Sequence, residues 1–352
     1  LPGDLSITGT IDDTVEINAD IAADGDVTIG DATTDLVDAD ANIHGGGDIT
    51  INATDAGGDI SISELVSSDN GRVDINAADA IIFDNNGNVI GSDVPAGTPG
   101  VTVDSADITV DADLHNDEGS LDLHATGTLD INQSIETGPE GALDLDGDTA
   151  LTLATGADLT AGGDITVNDN LLLDNPNGDS TVTSEDGDVT LQNVAAAEER
   201  NLTVTAAEGT VTIDSLGSDD ANDTNDANNL TITAANVLLD NTADGRIEGN
   251  LTITATGDVD NNDNGGGGTE LNVDGAASIA GNNVDLDGGL VVTGSVTVTA
   301  LQDIGIGVGT VAQGNVTSGG NVSLTADLDL DGDGGVEMNS ADLASTAGNI
   351  TI

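Results

Sequence analysis

Gly25-Asp26-Val27-Thr28-Ile29 is a five-residue word that returns as Gly47-Asp48-Ile49-Thr50-Ile51 and already stands at Gly3-Asp4-Leu5-Ser6-Ile7. Each copy puts a glycine and a small polar residue ahead of an apolar–polar–apolar alternation. The alternation is that of a short strand with one face inward and one face in water. Glycine supplies backbone freedom for a corner, and the neighbouring Asp or Asn favours a turn. The copies stand about 22 residues apart, a period that marks a solenoid.

The word runs on to the end of the chain, through Gly163-Asp164-Ile165-Thr166-Val167, Gly187-Asp188-Val189-Thr190-Leu191, Gly249-Asn250-Leu251-Thr252-Ile253 and Gly294-Ser295-Val296-Thr297-Val298 to Gly348-Asn349-Ile350-Thr351-Ile352. Weaker words lie between the main ones, such as 14–17 and 36–39, so each turn should hold two or three strands. Helical periodicity is absent over any useful length. The predicted fold is all-β: a right-handed parallel β-helix of about 16 coils of roughly 20–22 residues, continuous over 1–352. Stretches rich in Asn, Asp, Gly or Pro read as loop insertions near 84–100, 218–229 and 258–268.

Composition agrees. Phe83 is the sole aromatic among 352 residues, and Cys, Trp and Tyr are missing. A wide globular core normally rests on several aromatic side chains. A core one or two side chains thick can be built from Ile, Val, Leu and Ala. The lack of Cys excludes a disulfide scaffold and a thiolate metal site.

The coils with Gly-Asp-(Ile/Val)-(Thr/Ser)-(Ile/Val), poor in aromatics and rich in Asn, Asp, Thr and Gly, resemble the shafts of filamentous-haemagglutinin-type adhesins over nearly the whole chain. That resemblance implies a right-handed β-helix, export to the cell surface, and a stalk or adhesive role. The Asn-Pro-Asn motif of the family's secretion domain has only a mid-chain counterpart, Asn175-Pro176-Asn177. With no initial Met and no signal peptide, the sequence reads as a segment of a longer secreted chain. No apolar run is long enough for a membrane-spanning helix.

Charge sets further limits. Sixty-six acidic residues face 3 basic ones, a net charge of −63. Nucleic acid and anionic membrane surfaces are excluded as partners, because both need a basic footprint. Sixteen coils about 4.8 Å apart would carry roughly 0.8 charges per Å, against about 0.6 for B-DNA. Two unit charges about 5 Å apart repel by roughly 0.8 kcal/mol even in water. Concentrated salt or bound Ca²⁺ is therefore expected, the halophilic and the calcium-binding reading of one feature. Candidate metal ligands are Asp144, Asp146 and Asp148, and Asp327, Asp329, Asp331 and Asp333. The second run opens like an EF-hand loop but has Met338 where a bidentate Glu is required.

Catalytic signatures are sparse. His44, His115 and His124 fall on different expected coils, out of metal-ligand spacing, and read as surface histidines. No nucleophile elbow and no phosphate-cradling loop occurs. A β-helical polysaccharide-active enzyme is the remote alternative, since carboxylate pairs are everywhere and therefore diagnose nothing. The expected function is a non-enzymatic structural shaft of an extracellular fibre, stalk or adhesin. Its partners would be further solenoid segments or copies of itself, stacked end to end into filaments. The alternative is a cation- or glycan-binding surface-layer module with a cell-surface ligand.

Overall fold

The computed structural model describes all residues except 9–12, 92–98, 118, 155, 175–178, 197–199, 218–226, 241–244, 263–269, 308–313, 329–333 and 340. Among the described residues there is no helix, and parallel strands stack into a β-solenoid of about 12 turns. They group into two compact units, Leu1–Asp169 and Asn170–Ile352.

In the first unit a coil holds three strands, as in Val27–Asp31, Thr34–Ala39 and Ile43–Gly45. The first face stacks Val27, Ile49, Val73, Val101, Leu121 and Leu143 in register. The second stacks Val37, Ile60, Ile81, Ile108 and Leu129. The third stacks Ile21, Ile43, Val66 and Val89, then Leu114, Ile135 and Leu159. These inward residues are almost all fully buried, and their strands alternate buried with half-exposed positions, as in Ile49–Ala53. Phe83 is fully buried in register between Ile62 and Val110. The thin aliphatic core expected from composition is what fills the coils.

The second unit repeats the plan. Leu202, Leu230, Leu251, Ala277, Val296 and Val322 stack on one face. Val211, Val237, Val259 and Val284 stack on a second, and Leu271, Leu290, Val316 and Leu343 on a third.

The small polar residue of the repeated word ties each coil to the next. Asp26 N–H donates to Asp4 Oδ1 at 3.2 Å, Asp48 N–H to Asp26 Oδ1 at 3.0 Å, and Arg72 N–H to Asp48 Oδ1 at 2.9 Å. The second unit continues the device with Asn250 N–H on Asn229 Oδ1 and Ala276 N–H on Asn250 Oδ1, both at 2.8 Å. This changes the role of the leading glycine. Gly25 and Gly47 are not among the glycines of positive φ. A Cβ on Gly25 would collide with Asp4 Oδ1, and one on Gly47 with Asp26 Oδ1. Glycine is needed there for close approach of the carboxylate below, rather than for a left-handed corner.

The coil count also differs from the expected 16. Corner residues bonded across adjacent coils are separated by 22 residues at Asp4–Asp26 but by 26 at Asn250–Ala276, 28 at Asn321–Asn349 and 32 at Asp303–Gly335. Longer connections lower the number of turns. Within the stretches expected to be insertions, Asn88–Ile90 and Val259–Asn262 are strands in register with their neighbours. Most of the insertion expected at 218–229 lies outside the described residues.

Candidate functional site

On the first face of the first unit, strands Val101–Ser105, Leu121–Ala125 and Leu143–Gly147 lie in register. Their inward Val and Leu residues fix the outward ones. Asp122 stacks on Asp144, and Asp104, His124 and Asp146 form the adjacent column. His124 Nδ1 lies 3.1 Å from Asp104 Oδ1, and Nε2 lies 4.0 Å from Asp146 Oδ2. One ligand atom each from His124, Asp146 and Asp148 falls within 4.8 Å of the others.

The field of this patch acts on protonation. Burial, then the neighbouring carboxylates of Asp144 and Asp104, pushes Asp122 up to about 6. Burial also raises Asp144, against the opposing hydrogen bond from Asn168 Nδ2 at 2.8 Å. The Asp104 hydrogen bond raises His124. Burial and the Asp146 carboxyl raise Asp169. These groups hold protons where isolated ones would not.

The second unit has a parallel cluster. Leu238, Asp260 and Asp285 share one outward column. Burial first, then Asp287 and Asp260, pushes Asp285 up to about 6. Asp285 Oδ1 is buried and meets no hydrogen-bond partner among the described residues. A protonated carboxyl suits that position better than a charged one.

Of the residues expected to hold a metal, Asp146 and Asp148 converge, while Asp144 faces Asp122 and Asn168 instead. Asp327 has a φ of 55°. Asp329, Asp331 and Asp333 lie outside the described residues. His124 is the member that sequence spacing missed. Its signal was present: Leu121-Asp122-Leu123-His124 aligned one coil back on Leu143-Asp144-Leu145-Asp146 sets His124 on Asp146. Calcium takes six to eight oxygen ligands. This triad offers two carboxylates and an imidazole, a nitrogen donor that suits transition metals better. The triad alone does not make a calcium site.

All three arginines are engaged. Arg72 bonds Asp74 at 2.8 Å and the Pro99 carbonyl at 3.0 Å. Arg246 bonds Asp274 at 2.5 Å. Arg200 is buried, donating to Ser180 Oγ at 2.8 Å and to the Asp174 carbonyl. They serve the scaffold.

Comparison with protein-family models, curated proteins and solved structures finds no significant match.

Proposed function

We propose that this chain is a shaft segment of an extracellular, cell-surface fibre or stalk of the filamentous-haemagglutinin-like kind, with a structural rather than a catalytic role. The observation that carries the reading is unbroken register. Core columns such as Val27–Ile49–Val73–Val101–Leu121–Leu143 pass from coil to coil, while the chain between them varies in length. A protein whose invariant feature is its stacking is suited to holding other parts at a distance. The acidity fits a saline or calcium-rich exterior, where screening is strong. Antibody raised against this segment should label intact, unpermeabilised source cells along surface projections. Labelling only after permeabilisation would sink the proposal.

A cation-binding role is the second reading, favoured by the convergence of His124, Asp146 and Asp148. It predicts a melting-temperature difference, at fixed ionic strength, between EDTA and an added transition-metal ion such as Zn²⁺, the class an imidazole donor favours, that Asp146→Asn removes. No difference in the parent protein would eliminate it.

A further inference from the structure

The chain has three histidines, and each stands on an outward position of the first unit beside a carboxylate of a neighbouring coil. Two of them are spent on that contact. His44 has both ring nitrogens engaged, Nδ1 lying 3.1 Å from Ser67 Oγ and Nε2 lying 3.4 Å from Asp69 Oδ2. His115 meets a single carboxylate, with Nδ1 3.2 Å from Glu136 Oε2. His124 is different. It stands in the middle of a column, in register with Asp104 of the preceding coil and Asp146 of the following one. Nδ1 lies 3.1 Å from Asp104 Oδ1. A carboxylate can only accept, so Nδ1 carries the proton and Nε2 presents a lone pair in the neutral ring. That Nε2 makes no hydrogen bond among the described residues, since Asp146 Oδ2 at 4.0 Å is too far for one. Yet ligand atoms of His124, Asp146 and Asp148 all lie within 4.8 Å of one another.

The backbone fixes these three side chains in advance. Leu123 and Leu145 are buried in register, which sets His124 and Asp146 outward on adjacent coils. Gly147 is buried between Asp146 and Asp148, where a Cβ would stand 2.8 Å from the Ala150 carbonyl oxygen and 3.2 Å from Leu129 Cβ. Two hydrogen bonds pin the segment. Asp148 N–H donates to the Ala125 carbonyl, next to His124, at 2.9 Å, and Gly147 N–H donates to Asp169 Oδ2 at 3.1 Å. A site held in this way loses little freedom when a ligand arrives.

The donor set selects the occupant. A histidine that binds a metal almost always gives its other ring N–H to a carboxylate or carbonyl, which fixes the tautomer and the ring's orientation. Asp104, which is outside the converging triad, holds that post. Calcium and magnesium favour shells of six or more oxygens, whereas an imidazole with carboxylates suits zinc and its first-row neighbours. Ligand atoms around a tetrahedral zinc stand roughly 3.4 Å apart. The 4.0 Å between His124 Nε2 and Asp146 Oδ2 reaches that by a small closure of the side chains. Three protein ligands leave a fourth position for water, and Asp148 is exposed on that side. Resting on the cation-binding reading above, we infer that the first unit holds one divalent transition-metal ion through His124 Nε2, Asp146 and Asp148, with Asp104 as the residue that positions the imidazole. The ion joins two adjacent coils and offsets the charge of two carboxylates.

The test is calorimetric titration of Zn²⁺ into the metal-free full chain in about 1 M NaCl, where a Debye length of about 3 Å suppresses loose condensation of cations on the acidic surface. The parent protein should show one saturable site per chain. His124→Gln should abolish it, and His44→Gln should match the parent. Asp104→Asn should keep one site but weaken it about 10–100-fold, and Asp104→Glu, which retains the carboxylate, should restore most of the loss. Circular dichroism checks that each variant is folded. X-ray absorption of the Zn²⁺-loaded parent needs no variant and should show an imidazole in a shell of about four ligands. An all-oxygen shell overturns the inference. So does a folded His124→Gln that binds one ion at the parent affinity, which would leave the cation-binding reading standing on carboxylates alone. A parent without a saturable site overturns both, and many weak, unsaturated sites would mean adventitious ions only, with the same result. Parent-like affinity in Asp104→Asn overturns the part assigned to Asp104.

Discussion

Asp26 shows how one residue serves three purposes. Its N–H donates to Asp4 Oδ1, its carbonyl accepts from Leu5 N–H at 2.8 Å, and its own Oδ1 accepts from Asp48 N–H. The corner is thereby satisfied by the chain itself, and Gly47 must leave room for the carboxylate. Gly47→Ala should lower stability by about 1–3 kcal/mol, the usual cost of forcing an atom into filled space. Asp26→Ala should lower it by about 0.5–1.5 kcal/mol through the lost hydrogen bond. Because the new Cβ collides with the side chain that the second change removes, the double variant should lose less than the sum. Urea melts of the four proteins give the coupling directly. Strict additivity would mean that Gly47 is required for a different reason.

At the scale of the strand, stacking turns an ordinary polar position into a column of like charges. Asp122 and Asp285 are each pushed up to about 6, and Asp74, Asp144 and Asp260 are also raised, burial being the largest cause in every case. A carboxyl whose folded pKa exceeds its unfolded value binds more protons in the native state. Its stabilising contribution is complete below the unfolded pKa, near 4, and is lost as pH rises through about 6. His124, also raised, acts in the same direction. Asp31, lowered by hydrogen bonds from Thr33, opposes them. The melting temperature should therefore be higher near pH 5 than near pH 7.5 at constant ionic strength, and Asp122→Asn with Asp285→Asn should shrink the gap. A maximum at neutral pH would refute this. Strands of this kind were legible in the sequence because Leu121-Asp122-Leu123 alternates in two. The columns were less so, because the spacing between bonded corners wanders from 20 residues at Asn283–Asp303 to 32 at Asp303–Gly335. A fixed period of 22 aligns His124 with Asp146, yet it loses the column from Leu202 to Val322 in the second unit, whose coils vary in length. The reason for the leading glycine was hidden too, since it lies in the coil below and not in the local turn.

For the whole molecule the question is how a net charge of −63 is compatible with a folded state. Part of the answer is local: corner carboxylates accept backbone N–H groups from the next coil. The remaining repulsion acts within columns whose rungs are about 4.8 Å apart, well inside the Debye length of about 10 Å at 0.1 M salt. At 1 M that length is about 3 Å, shorter than the rung spacing, so neighbouring carboxylates cease to interact strongly. The melting temperature should thus climb with NaCl from about 0.05 M, steeply at first and more slowly beyond about 1 M. Asp122 and Asp144, stacked in one column, contribute to this slope. Asp122→Asn with Asp144→Asn should raise the low-salt melting temperature and flatten the dependence, with both proteins converging at high salt. A double variant that stays parallel to the parent across the series would show that the repulsion resides elsewhere. A parent protein indifferent to salt would show that the Ile, Val and Leu columns outweigh it from the outset.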